Sequence, residues 1–174
     1  MAAMTIKGLL EKLPVDSPAT ELVKRALPAD EQQKTGKGAG YVEGSTLLVQ
    51  AAGLLHGNEE LARAHLRGAL TLLNLQLREV SREHSDSDSR GRRSIAPYLH
   101  ERIARIANEL GDDTLVKAHS DLAEECWRAE RSRVGGLLEL PRQDQDQINA
   151  LRSYNAVIGE RLQHLPELVR RAAP

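Results

Sequence analysis

The sequence predicts an all-α protein: an antiparallel helical bundle built from two similar helix hairpins, followed by a C-terminal helix. The first observation is compositional, because Leu and Ala dominate the apolar residues while the chain has no Phe, one Trp and three Tyr; Leu and Ala both favour helices. The second is that apolar residues recur three and four positions apart, which is the helical period. The third is an internal repeat, in which residues 51–73 resemble residues 106–127.

The charge balance argues against two classes of partner. The 174 residues include 24 Lys and Arg against 25 Asp and Glu, a net charge of −1. Nucleic-acid-binding proteins usually carry a basic excess, and a pI near 6.6 is low for electrostatic docking to a membrane surface. We therefore expect neither a membrane partner nor, apart from a local basic patch, a nucleic-acid partner.

The single Cys126 excludes an intrachain disulfide and a zinc site with several cysteine ligands. A lone free thiol suits a reducing compartment. No apolar run approaches the roughly 20 residues that a membrane-spanning helix requires, and the N-terminal residues lack the apolar stretch of a signal peptide. The sequence thus favours a cytoplasmic protein.

Residues 1–40 are expected to form a loosely organised arm with short helices, ahead of a bundle domain at residues 41–174. Ser17 and Pro18 predict a helix start, since serine caps helices and proline suits the first turn. Proline also ends helices, which places helix ends at Pro14 and Pro28. The polar, glycine-rich residues 30–40 predict a flexible connector.

The bundle domain opens with a helix over residues 41–56, ended by Gly57 as a C-cap. Asn58 is expected to cap a second, longer helix that runs to about residue 83. Residues 84–93 contain no apolar residue and predict an exposed loop. Ser94 then caps a third helix, whose apolar stripe consists of Ile95, Leu99, Ile103, Ile106 and Leu110.

Gly111 is expected to end this third helix, and Asp112 or Asp113 to begin the fourth. The fourth helix should fray near Gly135 and Gly136. Its expected buried residues are Leu115, Val116, Leu122, Ala123, Cys126 and Trp127.

The final helix, from about residue 141, carries a heptad-like seam with one asparagine at a core position. The seam predicts either packing against the bundle or self-association, and Pro166 is expected to kink or end the helix. The seam residues are Ile148, Leu151, Asn155, Ile158, Leu162, Leu165 and Val169.

The internal repeat aligns Gly57 with Gly111, and His65 with His119, at an offset of 54 residues. A glycine at the turn and small residues on the following helix, as at Ala62, resemble the tetratricopeptide class of helix-pair repeats. That class has a spacing of about 34 residues and three or more copies. The resemblance implies helix hairpins, and the missing third copy argues against a solenoid.

Two groups of residues resemble metal sites. His65 and His119 could meet as a ligand pair, or could each be satisfied by local hydrogen bonds. Glu160, His164 and Glu167 share a helical spacing that would suit a metal ion, although surface helices often carry such combinations. Ferritin-like bundles use a Glu-x-x-His motif, which this sequence lacks. We predict no bound metal or cofactor.

No catalytic residue is predicted. Residues 36–46 are rich in glycine but lack the Gly-Lys-Ser or Gly-Lys-Thr of a phosphate loop, and Cys126 on an apolar face should be inert. In the loop 82–94, the basic residues Arg90, Arg92 and Arg93 are the candidates for nucleic-acid contact.

The leading hypothesis is a non-enzymatic protein-binding, adaptor or regulatory protein, because aliphatic helices offer grooves but little polar chemistry. It includes self-association to a homodimer. The candidate protein-binding residues are Ile148, Leu151, Asn155, Ile158 and Leu162. The alternatives are a ferritin-like bundle that holds a metal or cofactor, and a nucleic-acid-associated regulator that uses Arg90 to Arg93.

Overall fold

The computed structural model describes residues 5–29, 40–86, 95–140 and 144–170 of the chain. Throughout these ranges the regular structure is helical, without any strand, which confirms the all-α prediction. The helices fall into two compact units, Met1–Ser87 and Asp88–Pro174. The units divide the chain after residue 87. The predicted boundary between an arm and a bundle domain at residue 40 stays a prediction.

Unit 1 (Met1–Ser87) begins with two short helices whose starts and ends are local in origin. Ser17 caps the second helix by accepting a hydrogen bond from the N–H of Ala19, and Pro18 stands in its first turn, as predicted. Asn58 caps the longest helix by accepting from the N–H of Leu61 at 3.1 Å. Within the described ranges, the helices of this unit are α1 (Ile6–Leu10), α2 (Pro18–Ala26), α3 (Gly40–Gly53) and α4 (Glu59–Asp86).

The core of unit 1 forms where α3 packs against α2 and α4, and where α1 packs against α2 and α4. Leu9 and Val23, from the segment predicted to be a loose arm, are fully buried there. Their burial explains why the unit includes residues before 40, since a short helix is stabilised mainly by packing its apolar face. Gly44 allows close helix contact, because a Cβ atom there would lie 2.9 Å from the Cβ of Ala29.

Unit 2 (Asp88–Pro174) is built on α6, which packs against both α5 and α7. Gly111 ends α5 in the left-handed conformation, and Asp112 caps α6 by accepting from the N–H of Leu115 at 2.9 Å. Both outcomes confirm the sequence prediction for this turn. The helices are α5 (Ala96–Leu110), α6 (Asp113–Leu138) and α7 (Gln145–Arg170).

The turn glycines of the internal repeat have the same conformation. Gly57 has φ of 85° and Gly111 has φ of 73°, a region that residues other than glycine rarely adopt. Each is followed by a capping side chain, Asn58 or Asp112, that accepts from a backbone N–H three residues later. The two turns are alike, while the wider prediction of two similar hairpins stays a prediction.

Two predicted helix ends are wrong. The helix predicted to end at Gly57 ends at Gly53. The helix α6, predicted to fray at Gly135 and Gly136, continues to Leu138 instead. The fully buried Val134 and the half-buried Leu138 hold it by packing in the core around Trp127. This packing outweighs a helical glycine's cost of about 1 kcal/mol. At Pro166, where a kink or an end was predicted, the last helix does not end but continues to Arg170.

Two apolar side chains that were predicted to be buried are exposed. Ile95 is 44% exposed and serves as the N-cap of α5 without a side-chain hydrogen bond, and Leu122 on α6 is 41% exposed. Ser94, the predicted cap, lies outside the described residues. Periodicity placed Leu122 on the buried side, but α6 meets its neighbours through Ala123 and Trp127 instead.

Candidate functional site

Unit 2 has a groove between α6 and α7 with a volume of about 280 Å³. The α6 wall consists of residues spaced four apart along one face, with Asp121 beside them, and the α7 wall is apolar. We call this the α6–α7 groove; it is lined by Val116, Ser120, Asp121, Glu124, Leu162, Leu165 and Pro166.

Two of the residues that line the α6–α7 groove, Val116 and Leu165, belong to the packed core of unit 2. Ala104 of α5 and Ala123 of α6 are fully buried and form a core cluster with Leu165 of α7, against which Val116 packs. The apolar side of the groove is therefore continuous with this core.

The rim of the groove is acidic. Asp121 bonds to Lys117 at 2.7 Å, and Glu124 pairs with Arg128. Both ion pairs are solvent-exposed, and such pairs contribute only about 0–1 kcal/mol. The two carboxylates can therefore exchange these partners for a cation from another molecule at little cost.

Beneath the surface, unit 2 contains a buried carboxylate with three bonding partners. Glu101 of α5 is 2% exposed; its Oε1 accepts from the indole Nε1 of Trp127 at 2.6 Å, and its Oε2 from Arg161 at 2.8 Å. Arg105 adds an ion pair at 3.6 Å. Tyr98 packs edge-on to Trp127 with the ring centres 4.5 Å apart. This network ties α5, α6 and α7 together.

A second buried carboxylate, Glu130, lies further along α6 and is 4% exposed. It accepts two hydrogen bonds from Arg133, at 2.8 and 2.7 Å. The hydrogen bond to Glu130 raises the pKa of Arg133, more than burial lowers it. Both buried carboxylates are paired and enclosed within unit 2, so we assign them a structural role.

The predicted protein-binding seam of the last helix packs within unit 2. Ile158 is fully buried beside Trp127, and Leu151 and Leu162 pack against the same cluster. Ile148 and Asn155 are half-buried. Of these residues, only Leu162 lines the groove. The prediction that the seam binds a partner stays a prediction.

The two repeat histidines have different environments. His65 in unit 1 is fully buried, with its Nδ1 2.7 Å from the carbonyl oxygen of Leu61, and its Nε2 has no hydrogen-bond partner among the described residues. Burial lowers the pKa of His65. His119 in unit 2 is half-buried and contacts His100 of α5, with the Nδ1 atoms 2.9 Å apart.

The described residues place no three histidine, cysteine or acidic side chains where they could hold a metal ion together. Of the proposed triplet, His164 and Glu167 lie 3.7 Å apart, and Glu160 is exposed. Cys126 is half-buried, and its pKa is raised by burial and by the nearby charge of Glu125.

The predicted basic loop, with Arg90, Arg92 and Arg93, lies outside the described residues. Over the part of the chain that is described, no helix is both long and apolar enough to cross a membrane.

Sequence reasoning missed Glu101, Arg161, His100 and the groove. Glu101 and Arg105 stand four apart, a spacing that signals an ion pair, but nothing in the sequence links Glu101 with Arg161, sixty residues away. The groove likewise depends on how α7 lies against α6. Comparison of the chain with protein-family models, with curated proteins and with solved structures gave no match.

Proposed function

We propose that this protein is a non-enzymatic binding protein that uses the α6–α7 groove to hold an apolar side chain of a partner protein. The observation that carries the proposal is the recess itself, in which Val116, Leu162 and Leu165 offer apolar walls beside an acidic rim. Apolar recesses with a few polar groups at the edge are typical ligand sites. Small anchoring pockets of this kind also carry most of the binding energy in protein interfaces.

The charge of the groove selects the partner's chemistry. The two ionisable residues that line it, Asp121 and Glu124, are both acidic. A leucine, isoleucine or methionine flanked by lysine or arginine would fill the recess and replace the existing ion pairs with Lys117 and Arg128. The partner is therefore a basic segment with one apolar anchor. We place this activity in the cytoplasm, because the chain's one cysteine is a free thiol.

Synthetic peptides test this proposal directly. One set carries a central leucine flanked by lysine, and the matched set carries the same leucine flanked by glutamate. Titration into ¹⁵N-labelled protein should shift the amide signals of Val116, Ser120 and Glu124 with the lysine set only. Equal shifts with both sets, or none with either, would contradict the proposal.

Two tryptophan variants on α6, one in the groove and one outside it, test where the peptide binds. Ser120→Trp should fill the groove and abolish the shifts, whereas Ser132→Trp, on an exposed position of the same helix, should leave them unchanged. Replacing both acidic residues, Asp121→Lys with Glu124→Lys, should reverse the preference towards the glutamate peptides. Retained binding in Ser120→Trp would place the contact elsewhere.

A second copy of the chain is the alternative partner. Leu140, just beyond the end of α6, is 55% exposed, and Ile148 of α7 is only half-buried. Self-association through these residues should give a dimer in light scattering that Leu140→Glu dissociates. A monomer at all concentrations excludes this alternative.

A further inference from the structure

His100 of α5 and His119 of α6 form a close pair of imidazole rings, which we call the histidine pair. Their Nδ1 atoms are 2.9 Å apart and their ring centres 5.0 Å apart, with the ring planes tilted by 40°. Both side chains are half-buried. The pair is therefore a direct polar bridge between two helices that pack against each other.

The geometry of the histidine pair is that of a hydrogen bond. The ring centres are farther apart than the nitrogens by 2.1 Å, the difference between 5.0 and 2.9 Å. If each nitrogen lies on the line between the two ring centres, this difference must equal twice the distance from a ring centre to its nitrogen. The observed difference is nearly that large, so both Nδ1 atoms lie close to the line. Each Nδ1 thus points at the other, rather than both pointing at a common third point as two metal ligands would.

A hydrogen bond between two imidazoles requires one proton between them. A neutral imidazole has one donor and one acceptor nitrogen, so one ring presents Nδ1–H and the other its Nδ1 lone pair. When both rings are protonated, both Nδ1 atoms are donors, and two N–H groups and two positive charges face each other. A first proton taken up at the Nε2 of the donor ring leaves the hydrogen bond between the Nδ1 atoms in place, whereas protonation of both rings replaces this attraction with a repulsion.

The surroundings of the pair offer no compensating negative charge. Among the described residues, no carboxylate lies within 4 Å ion-pair distance of either ring. Four acidic groups of the three packed helices are paired with other residues: Glu101 of α5 with Trp127 and Arg161, Asp121 and Glu124 of α6 with Lys117 and Arg128, and Glu167 of α7 with His164.

Burial also favours the neutral form of both rings. It lowers the pKa of both imidazoles, and the charge of His119 lowers the pKa of His100 further, to about 4. Both shifts favour the neutral rings near pH 7, and in that state the Nδ1 of one ring can donate to the Nδ1 of the other.

We propose that the histidine pair is a pH-sensitive latch, which stabilises the packing of α5 against α6 while the rings are neutral and weakens it when acid protonates both rings. The latch does not depend on the proposed function of the groove. It makes unit 2 responsive to mild acid, in which exposed carboxylates are still largely ionised.

The expected size of the response follows from proton linkage. When α5 and α6 separate, His100 regains its ordinary pKa of 6.5, compared with about 4 in the closed latch. A group with a depressed pKa in the folded state stabilises it fully above pH 6.5, and this contribution is lost as the pH falls towards 4. Between pH 8 and pH 5, the equilibrium constant for opening should rise about thirty-fold.

Amide hydrogen exchange of the full-length protein, corrected for intrinsic exchange rates, measures this opening. We expect protection in α5 and α6 to fall about thirty-fold between pH 8 and pH 5. The double variant His100→Gln with His119→Gln, whose amides can pair without titrating, should lose most of this dependence. The matched control is His164→Gln, an exposed histidine of the same unit, which should keep it. An unchanged pH dependence in the double variant overturns the latch.

Imidazole ¹⁵N spectra of the unmodified protein test the hydrogen bond of the histidine pair even if the double variant fails to fold. At pH 7.5, one ring should carry its proton on Nδ1 and the other on Nε2, and both should resist protonation below pH 6. Two rings that titrate independently near pH 6.5 would overturn the proposal.

Discussion

The indole Nε1–H of Trp127 on α6 donates a 2.6 Å hydrogen bond to the buried Oε1 of Glu101 on α5. The chain's one tryptophan is thus anchored on a carboxylate rather than packed by apolar contacts alone. Arg161 of α7 binds the other oxygen of the same carboxylate at 2.8 Å. One side chain therefore joins all three helices of unit 2.

Glu101→Ala is expected to destabilise unit 2 by about 3 kcal/mol, because breaking a buried ion pair leaves its cation and N–H group without a partner. Glu101→Gln should cost less, since its amide oxygen can still accept one of the hydrogen bonds. Denaturant unfolding followed by Trp127 fluorescence measures the change in unit 2. Glu160→Ala, at an exposed glutamate of α7, is the control. Equal stability of the Glu101→Ala and Glu160→Ala proteins would refute the structural role of the carboxylate.

Gly136→Ala is expected to stabilise unit 2 by about 0.5–1 kcal/mol, since alanine favours a helix more than glycine does. The position lies inside α6, and an added Cβ would have no atom within 4 Å. Thermal or denaturant unfolding monitored by circular dichroism measures the gain. A loss of stability in this variant would mean that α6 does not continue through residues 135 and 136.

Gly44→Ala provides the opposite case and should destabilise unit 1 by about 1–3 kcal/mol through overpacking. Its Cβ would lie 2.9 Å from the Cβ of Ala29 and 3.0 Å from a methyl group of Leu72. The Ala29 Cβ cannot move without its backbone, so either the chain at Ala29 or α3 must shift. The same unfolding measurement applies, and an unchanged midpoint would show that α3 is packed less closely against its neighbours than described.

Unit 1 is expected to lose stability in mild acid because of His65. Burial lowers the pKa of His65 below 6.5, so the unfolded chain binds a proton more readily than the folded one. The stability contributed by neutral His65 is therefore complete above pH 6.5 and declines as the pH falls through the folded pKa. Unfolding of unit 1 can be followed by hydrogen exchange in α4 between pH 7.5 and pH 5.5.

The variant His65→Leu should flatten this pH dependence, whereas His56→Gln, at an exposed histidine of the same unit, should leave it intact. The comparison of the two variants removes the contribution of carboxylates, which titrate alike in both. The expectation fails if His65→Leu shows the same decline as the unmodified protein.

Cys126 is expected to react slowly with iodoacetamide at pH 8. Burial and the charge of Glu125 raise the pKa of the thiol, which lowers the fraction of reactive thiolate. Mass spectrometry should show several-fold slower alkylation than in denaturant, and Glu125→Gln should accelerate it modestly. A native rate equal to the denatured rate would contradict the half-buried position of Cys126.

The local features of this protein could be read from its sequence. The caps at Ser17, Asn58 and Asp112 and the left-handed glycine at 111 all depend on residues a few positions apart. The helical period of Leu and Ala similarly determined that the described chain is all-α. Such features are encoded locally, since a cap or a turn needs only its own backbone neighbours.

The tertiary structure decided which helices share a core and which side chains meet. Only the packing of α5 against α6 and α7 brings Glu101 to Arg161 and His100 to His119. The same packing sustains α6 beyond its two glycines, because the buried Val134 stabilises the helix more than local propensity opposes it. Contacts between residues distant in the chain depend on helix orientation, which local periodicity does not specify.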